Sequence, residues 1–112
     1  MSDRNGAIKL IRQFILSCAE NNLPIDKVIL FGSVSRNEAG KWSDIDVAFF
    51  SKNFVGNRFA DSHLLNQIAV KKKDFLKIES HPYPTSYFKN ETDPMVSEIK
   101  KTGIEIKIFL IQ

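Results

Sequence analysis

Apolar residues Ile8, Ile11, Phe14, Ile15 and Cys18 recur at three- and four-residue steps, the spacing of one helix face. Residues from about 4 to 21 therefore read as an amphipathic helix, ended by Asn21, Asn22 and Pro24. Lys27–Phe31 is a short apolar run closed by Gly32, the pattern of a buried strand. Asp46–Phe50 reads as a second strand, and Leu64, Leu65, Ile68 and Ala69 predict a helix over about 59–71. Asp74 to Ser80 alternates, with Phe75, Lys77 and Glu79 on one face and Leu76 and Ile78 on the other. That predicts a third strand with one polar face. His81 to Asp93, with two prolines and two tyrosines, reads as a structured loop. Asp93-Pro94 then opens a helix, because Asp caps and Pro suits the first turn, and Gly103 closes it after Lys100 and Lys101. Ile104 to Ile111, with Ile104, Ile106 and Ile108 on one side, predicts a fourth strand. The expected fold is α/β (α+β): a small mixed sheet of about four strands packed with about three to four helices.

Composition narrows the class. At 112 residues the chain holds a single domain, residues 1–112. No apolar run approaches the roughly 18–20 residues of a membrane span. The first residues, Met1 to Gly6, are polar and lack the apolar stretch of a leader peptide. A single cysteine, Cys18, excludes an intramolecular disulfide and a cysteine-rich zinc site. A cytoplasmic protein is expected. The net charge of +3, from 16 basic and 13 acidic residues, does not point to nucleic acid. The lysines do cluster, at Lys71–Lys73 with Lys77, and at Lys100 and Lys101. Such runs are ordinarily solvated faces or helix ends. A positive rim for nucleotide phosphates is the sharper alternative.

The stretch from Val28 to Phe50 carries the chemistry. Asp44 and Asp46 stand two apart, so in a strand they share a face about 6–7 Å apart. Two carboxylates between apolar neighbours repel and call for a cation, and Mg²⁺ takes one or two carboxylates plus substrate phosphates. A strand edge whose aspartates face water or lysine is the plainer explanation of the pair alone. Gly32 lets backbone approach a ligand closely, and Ser33 offers a hydroxyl and a cap for a following helix. With the next strand returning two carboxylates beside them, the pair outlines a nucleoside triphosphate site.

The spacing Gly-Ser, ten residues, Asp-x-Asp resembles the signature of the DNA polymerase beta-type nucleotidyltransferase superfamily. Ser43-Asp44-Ile45-Asp46-Val47 is especially close to its minimal (MNT) members. Ile78-Glu79-Ser80-His81-Pro82-Tyr83, and the later Asp93-Pro94 through Lys101-Thr102-Gly103-Ile104, resemble the C-terminal part of small bacterial nucleotidyltransferase-domain proteins. The resemblance thus runs from about Ile25 to Ile106. It implies that Gly32 and Ser33 hold the β- and γ-phosphates, with Arg36 and Ser43 also on the nucleotide. It implies that Asp44, Asp46 and a third carboxylate ligate two Mg²⁺ ions. Glu79 is the candidate third carboxylate and Asp74 the runner-up. The departures are Ser35 and Asn37, where related members often carry alanine and glycine; Asn37 is mild because asparagine tolerates a left-handed backbone.

The implied reaction is displacement at the α-phosphorus of ATP, giving an AMP-modified acceptor. With about 25 residues ahead of the first strand, and almost nothing after the fourth, the chain is expected to lack a complete acceptor pocket. MNT proteins are commonly paired with a HEPN-domain toxin and act as its antitoxin, so a HEPN-type partner is implied. A binding module acting by contact, and a small-molecule (aminoglycoside-like) nucleotidyltransferase completed by homodimerisation, are the alternatives.

Among other residues, Phe49, Phe50, Phe54 and Phe59 belong to either a phenylalanine-rich core or an exposed docking patch. Trp42 either stacks on a base or seals its loop. His81 is a ligand, a proton carrier or a structural residue beside prolines, and His63 lies on a helix surface. Cys18 is a small core residue.

Overall fold

The computed structural model describes residues 3–38, 44–90 and 92–108. Helix α1 (Arg4–Glu20) is capped by Asp3, whose carboxylate accepts from the Gly6 N–H at 2.6 Å. It buries the periodic face anticipated from the sequence, Ala7, Ile11, Phe14, Ile15 and Cys18. Strand β1 (Lys27–Phe31) leads straight into α2 (Gly32–Ser35), a single helical turn. Strand β2 (Ile45–Ser51) follows, then α3 (Arg58–Ala69), capped by Asn57.

The third strand departs from expectation. Lys73–Lys77 is a 3-10 turn, and strand β3 starts only at Ile78 and runs to Pro84. Phe75 is buried because it packs edge-on to Phe14 at 5.1 Å, while Leu76 is left exposed. Burial against a helix mimicked strand alternation there. The segment read as a loop from His81 is strand as far as Pro84. β3 lies at the sheet edge, where proline's missing N–H is tolerated. The rest of that segment holds α4 (Ser86–Lys89), again one turn. Helix α5 (Pro94–Thr102) begins as expected, with Asp93 accepting from the N–H groups of Met95 and Val96 at 2.8 and 3.4 Å. Strand β4 (Ile104–Glu105) is shorter than expected, although the Ile106 N–H still donates to the Val28 carbonyl at 2.9 Å. The expected continuation over 109–111 lies outside the described residues. Gly103 lets the chain pass close to β1, since a Cβ there would press on Ile29 and two carbonyls.

The sheet has the order β3-β2-β1-β4 and is mixed. β1 is antiparallel to β2 and β4, and β2 is parallel to β3. Helices cover both faces. On one, α1, α3 and the 3-10 turn bury Val28, Leu30, Ile45, Val47, Phe49 and Ile78. On the other, Val96 and Ile99 of α5 cover Ile29, Ala48 and Phe50, flanked by Phe31, Tyr83, Tyr87 and Phe88. Phe49, Phe50 and Phe54 are thus core, whereas Phe59 is 92% exposed. Lys71, Lys72 and Lys73 lie exposed at the end of α3. Among the described residues no helix is long and apolar enough to cross a membrane.

Phe14 anchors the larger face, packed on Phe49 at 5.2 Å as well as on Phe75. Phe14→Ala is expected to cost about 3–5 kcal/mol, read as a shift in the urea midpoint at constant slope. Burial also pushes the Cys18 thiol from 9.0 up to about 12. The unfolded thiol ionises near its ordinary value, so the stabilisation is full below pH 9 and fades as pH rises from 9 towards 12. Urea unfolding at alkaline pH should show this loss in the wild type and not in Cys18→Ala.

Candidate active site

The antiparallel register of β1 with β2 sets Phe31 opposite Asp46. The parallel register of β2 with β3 sets Asp46 opposite Glu79 and Ala48 opposite His81. Side chains two apart in a strand share a face, so Asp46, Glu79 and His81 rise on one side of the sheet. That side is the one covered by α5, and the three stand at its end, where β1 finishes and β2 and β3 begin. Their donor atoms converge: one oxygen each from Asp46 and Glu79, and a nitrogen of His81, lie within 4.8 Å of one another. His81 Nε2 is 3.6 Å from Asp46 Oδ1 and 3.5 Å from Glu79 Oε2. Its side chain is 11% exposed, and Nε2 is buried without a hydrogen-bond partner among the described residues. The Phe31 ring holds the imidazole edge-on, with centroids 4.9 Å apart. Two carboxylates and a buried imidazole nitrogen with nothing to bond are a donor set that suits a divalent cation.

Gly32 borders this group. Its φ is +76°, and a Cβ built there would overlap Asp46 Oδ2. Only a residue without a side chain lets the end of β1 turn so close to that carboxylate. The turn is braced from below. Ser35 Oγ donates to the Gly32 carbonyl at 2.7 Å, and Arg4 of α1 donates to the Ser35 carbonyl at 2.5 Å. Ser33 is partly exposed beside Gly32. Asn37 has the left-handed φ of +56° anticipated for it.

The other sequence candidates fall further out. Asp44 is exposed, one residue ahead of β2, and is not among the converging donors. Arg36 is exposed and paired with Glu38 Oε1 at 2.8 Å. Asp74, on the 3-10 turn, pairs with Lys77 at 3.5 Å. Ser43 and Trp42 lie outside the described residues. His63 is on the surface of α3, 3.2 Å from Gln67. His81, read from the sequence as a ligand, a proton carrier or a structural residue, lies with the two carboxylates. The usable signal was its position two residues after Glu79, which places both on one strand face.

Beside His81 lies a recess of about 200 Å³ lined by Gly56, Arg58, Pro82, Tyr83, Tyr87 and Asp93. Its loop wall is held by Asp61, a buried carboxylate that accepts from the N–H groups of Val55 and Gly56 at 3.0 and 2.9 Å. Burial raises the Tyr83 phenol above its ordinary range; the Asp93 charge adds to this and the Arg58 guanidinium opposes it. Tyr83 therefore stays protonated at neutral pH.

The nucleotidyltransferase domain model matches residues 11–108, and the chain belongs to that family. A Sulfolobus solfataricus protein assigned as a nucleotidyltransferase has the same fold, with a TM-score of 0.62 at 15% identity over 97% of this chain and 90% of that one. A chain from a toxin–antitoxin with AMP-PNP is also similar, with a TM-score of 0.56 at 18% identity over 88% of this chain and 73% of that one. No curated protein matches the sequence.

Gly32→Ala tests the close approach of β1 to Asp46. A methyl at φ +76° is strained and meets the carboxylate, so a loss of about 1–3 kcal/mol in urea unfolding is expected. A stability equal to wild type would show that the turn relaxes freely.

Proposed function

We propose that the chain transfers AMP from ATP to a hydroxyl on a partner protein, as the antitoxin of a HEPN-type pair. The observation that carries the reading is the convergence of Asp46, Glu79 and His81 beside Gly32, in a chain of the nucleotidyltransferase domain family. Placing two like charges side by side in a sheet is destabilising, and docking alone requires no such arrangement.

In this reading Asp46 and Glu79, with Asp44 from the residue ahead of β2, hold two Mg²⁺ ions. Bound divalent ions lower the pKa of an attacking hydroxyl and offset charge on the leaving pyrophosphate. The backbone at Gly32 and the Ser33 hydroxyl bind the β- and γ-phosphates, since no side chain bars their approach. Ser43 adds a second hydroxyl. Arg36 joins them by leaving Glu38, which costs about 0–1 kcal/mol for an exposed pair. The acceptor oxygen bonds to the α-phosphorus as the bond to the bridging oxygen breaks, and the Glu79 carboxylate takes the hydroxyl proton. An in-line nucleophile approaches opposite the leaving group. Gly32 follows β1, whereas the recess lies along β3, so the recess is on the side an acceptor needs.

The toxin–antitoxin neighbour with AMP-PNP supports an adenine nucleotide and a protein partner. Exposed Phe59 and Val55 flank the recess residues Gly56 and Arg58 and offer apolar surface for docking. A second reading, an antitoxin acting by contact alone, draws support from Asp44, which stands outside the converging donors.

ATP labelled on the α-phosphate, Mg²⁺, the protein and the product of the adjacent gene decide between them. Label should appear on the partner and fall at least about 100-fold with Asp46→Asn. Thermal unfolding of that variant should come no lower than wild type, because one member of a repelling pair is neutralised. Wild-type labelling by Asp46→Asn sinks the site assignment. A stable complex without label favours contact alone.

A further inference from the structure

We propose that His81 is itself a metal ligand, making this a mixed carboxylate–imidazole centre that takes Mn²⁺ in preference to Mg²⁺. The proposal rests on the reading that Asp46 and Glu79 hold a divalent ion, and it puts Mn²⁺ in place of Mg²⁺ as the ion beside His81.

Distances separate two possible roles for the ring. An N–H···O hydrogen bond spans about 2.7–3.2 Å. His81 Nε2 stands 3.6 and 3.5 Å from the two carboxylate oxygens, beyond that range for both. Donor atoms bound to one ion at about 2.1–2.2 Å stand roughly 3.0–3.6 Å apart for angles between octahedral and tetrahedral. The observed spacings fall at the upper end of that window. The imidazole nitrogen therefore stands at co-ligand spacing from both carboxylates and does not hydrogen-bond to either.

The ring is also fixed in place. Its strand position shares a face with Glu79, Phe31 packs edge-on against it, and its neighbour across the parallel pair is Ala48, small enough to leave it room. A buried ring nitrogen without a hydrogen-bond partner is unusual in a folded chain. Coordination would satisfy it. Mg²⁺ favours oxygen donors and retains its waters, whereas a nitrogen donor adds affinity for first-row transition ions, of which Mn²⁺ is the weakest binder. An all-carboxylate site would lack this bias.

Electron spin-echo envelope modulation of Mn²⁺ bound to the full chain, without nucleotide, reads the ligand directly. Modulation from a coordinated ¹⁴N is expected, changing to the ¹⁵N pattern when histidine is ¹⁵N-labelled. It should persist in His63→Gln, which removes the chain's other histidine, and vanish in His81→Gln. Mn²⁺ affinity should fall about 10–100-fold in His81→Gln, while Mg²⁺ affinity changes less than about threefold. The isotope exchange with His63→Gln assigns the ligand even if His81→Gln does not fold. Mn²⁺ binding to wild type without nitrogen modulation overturns this proposal and leaves the carboxylate centre standing. Modulation lost in His63→Gln overturns it likewise. No Mn²⁺ or Mg²⁺ binding at millimolar concentration overturns the metal centre as well.

Discussion

Asp46 faces Glu79 because β3 runs parallel to β2 in a register that pairs them, and because Gly32 leaves the space beside Asp46 free. The chemistry of the site follows from those two constraints. Strand side chains alternate with a period of two, so a slip of one residue in either pairing would turn a carboxylate into the layer beneath α1 and α3. The register is held by Val47 and Phe49, which alternate with Asp46 and are wholly buried against that layer. Apolar burial on one face thus determines where charge appears on the other. The two carboxylates repel in this position.

The two faces of the sheet are unequally covered, and the site depends on it. The α1/α3 face carries the larger core, built around Phe14, Phe49 and Phe75. Among the described residues the opposite face carries the nine-residue α5, the single turn α4 and a rim of aromatic side chains. Helix α5 covers Ile29, Ala48 and Phe50 but not the end of the sheet where Asp46 and Glu79 stand. The acidic group therefore remains partly open, while Phe31 and the strand neighbours enclose the His81 ring. The recess along β3 shares His81 with the carboxylate cluster, so the ring lies between the two.

Much of this was legible in the residues. Periodicity located α1 and α3; Asp93-Pro94 and Gly103 marked out α5; the apolar runs gave β1 and β2. The Gly-Ser and Asp-x-Asp segments meet at one end of the sheet, where Gly32 borders Asp46. Where the reading failed, the signal was local and the cause was distant. Phe75 alternates like a strand residue, but it is buried by Phe14, more than sixty positions earlier in the chain. Pro82 and Pro84 read as loop residues, yet an edge strand asks nothing of their missing N–H groups.

The sequence by itself determined the α/β class, the order of the main elements and the carboxylates from which a site can be made, because period, caps and spacing are local properties. The tertiary structure decided which of them meet. Asp46 and Glu79 are separated by 32 intervening positions, and only the parallel pairing of their strands sets them side by side. Asp44, two residues from Asp46 and one ahead of β2, stands outside the converging group. His81 enters it because a strand holds residues two apart on one face. Proximity across a sheet is a matter of register, which a linear spacing does not encode.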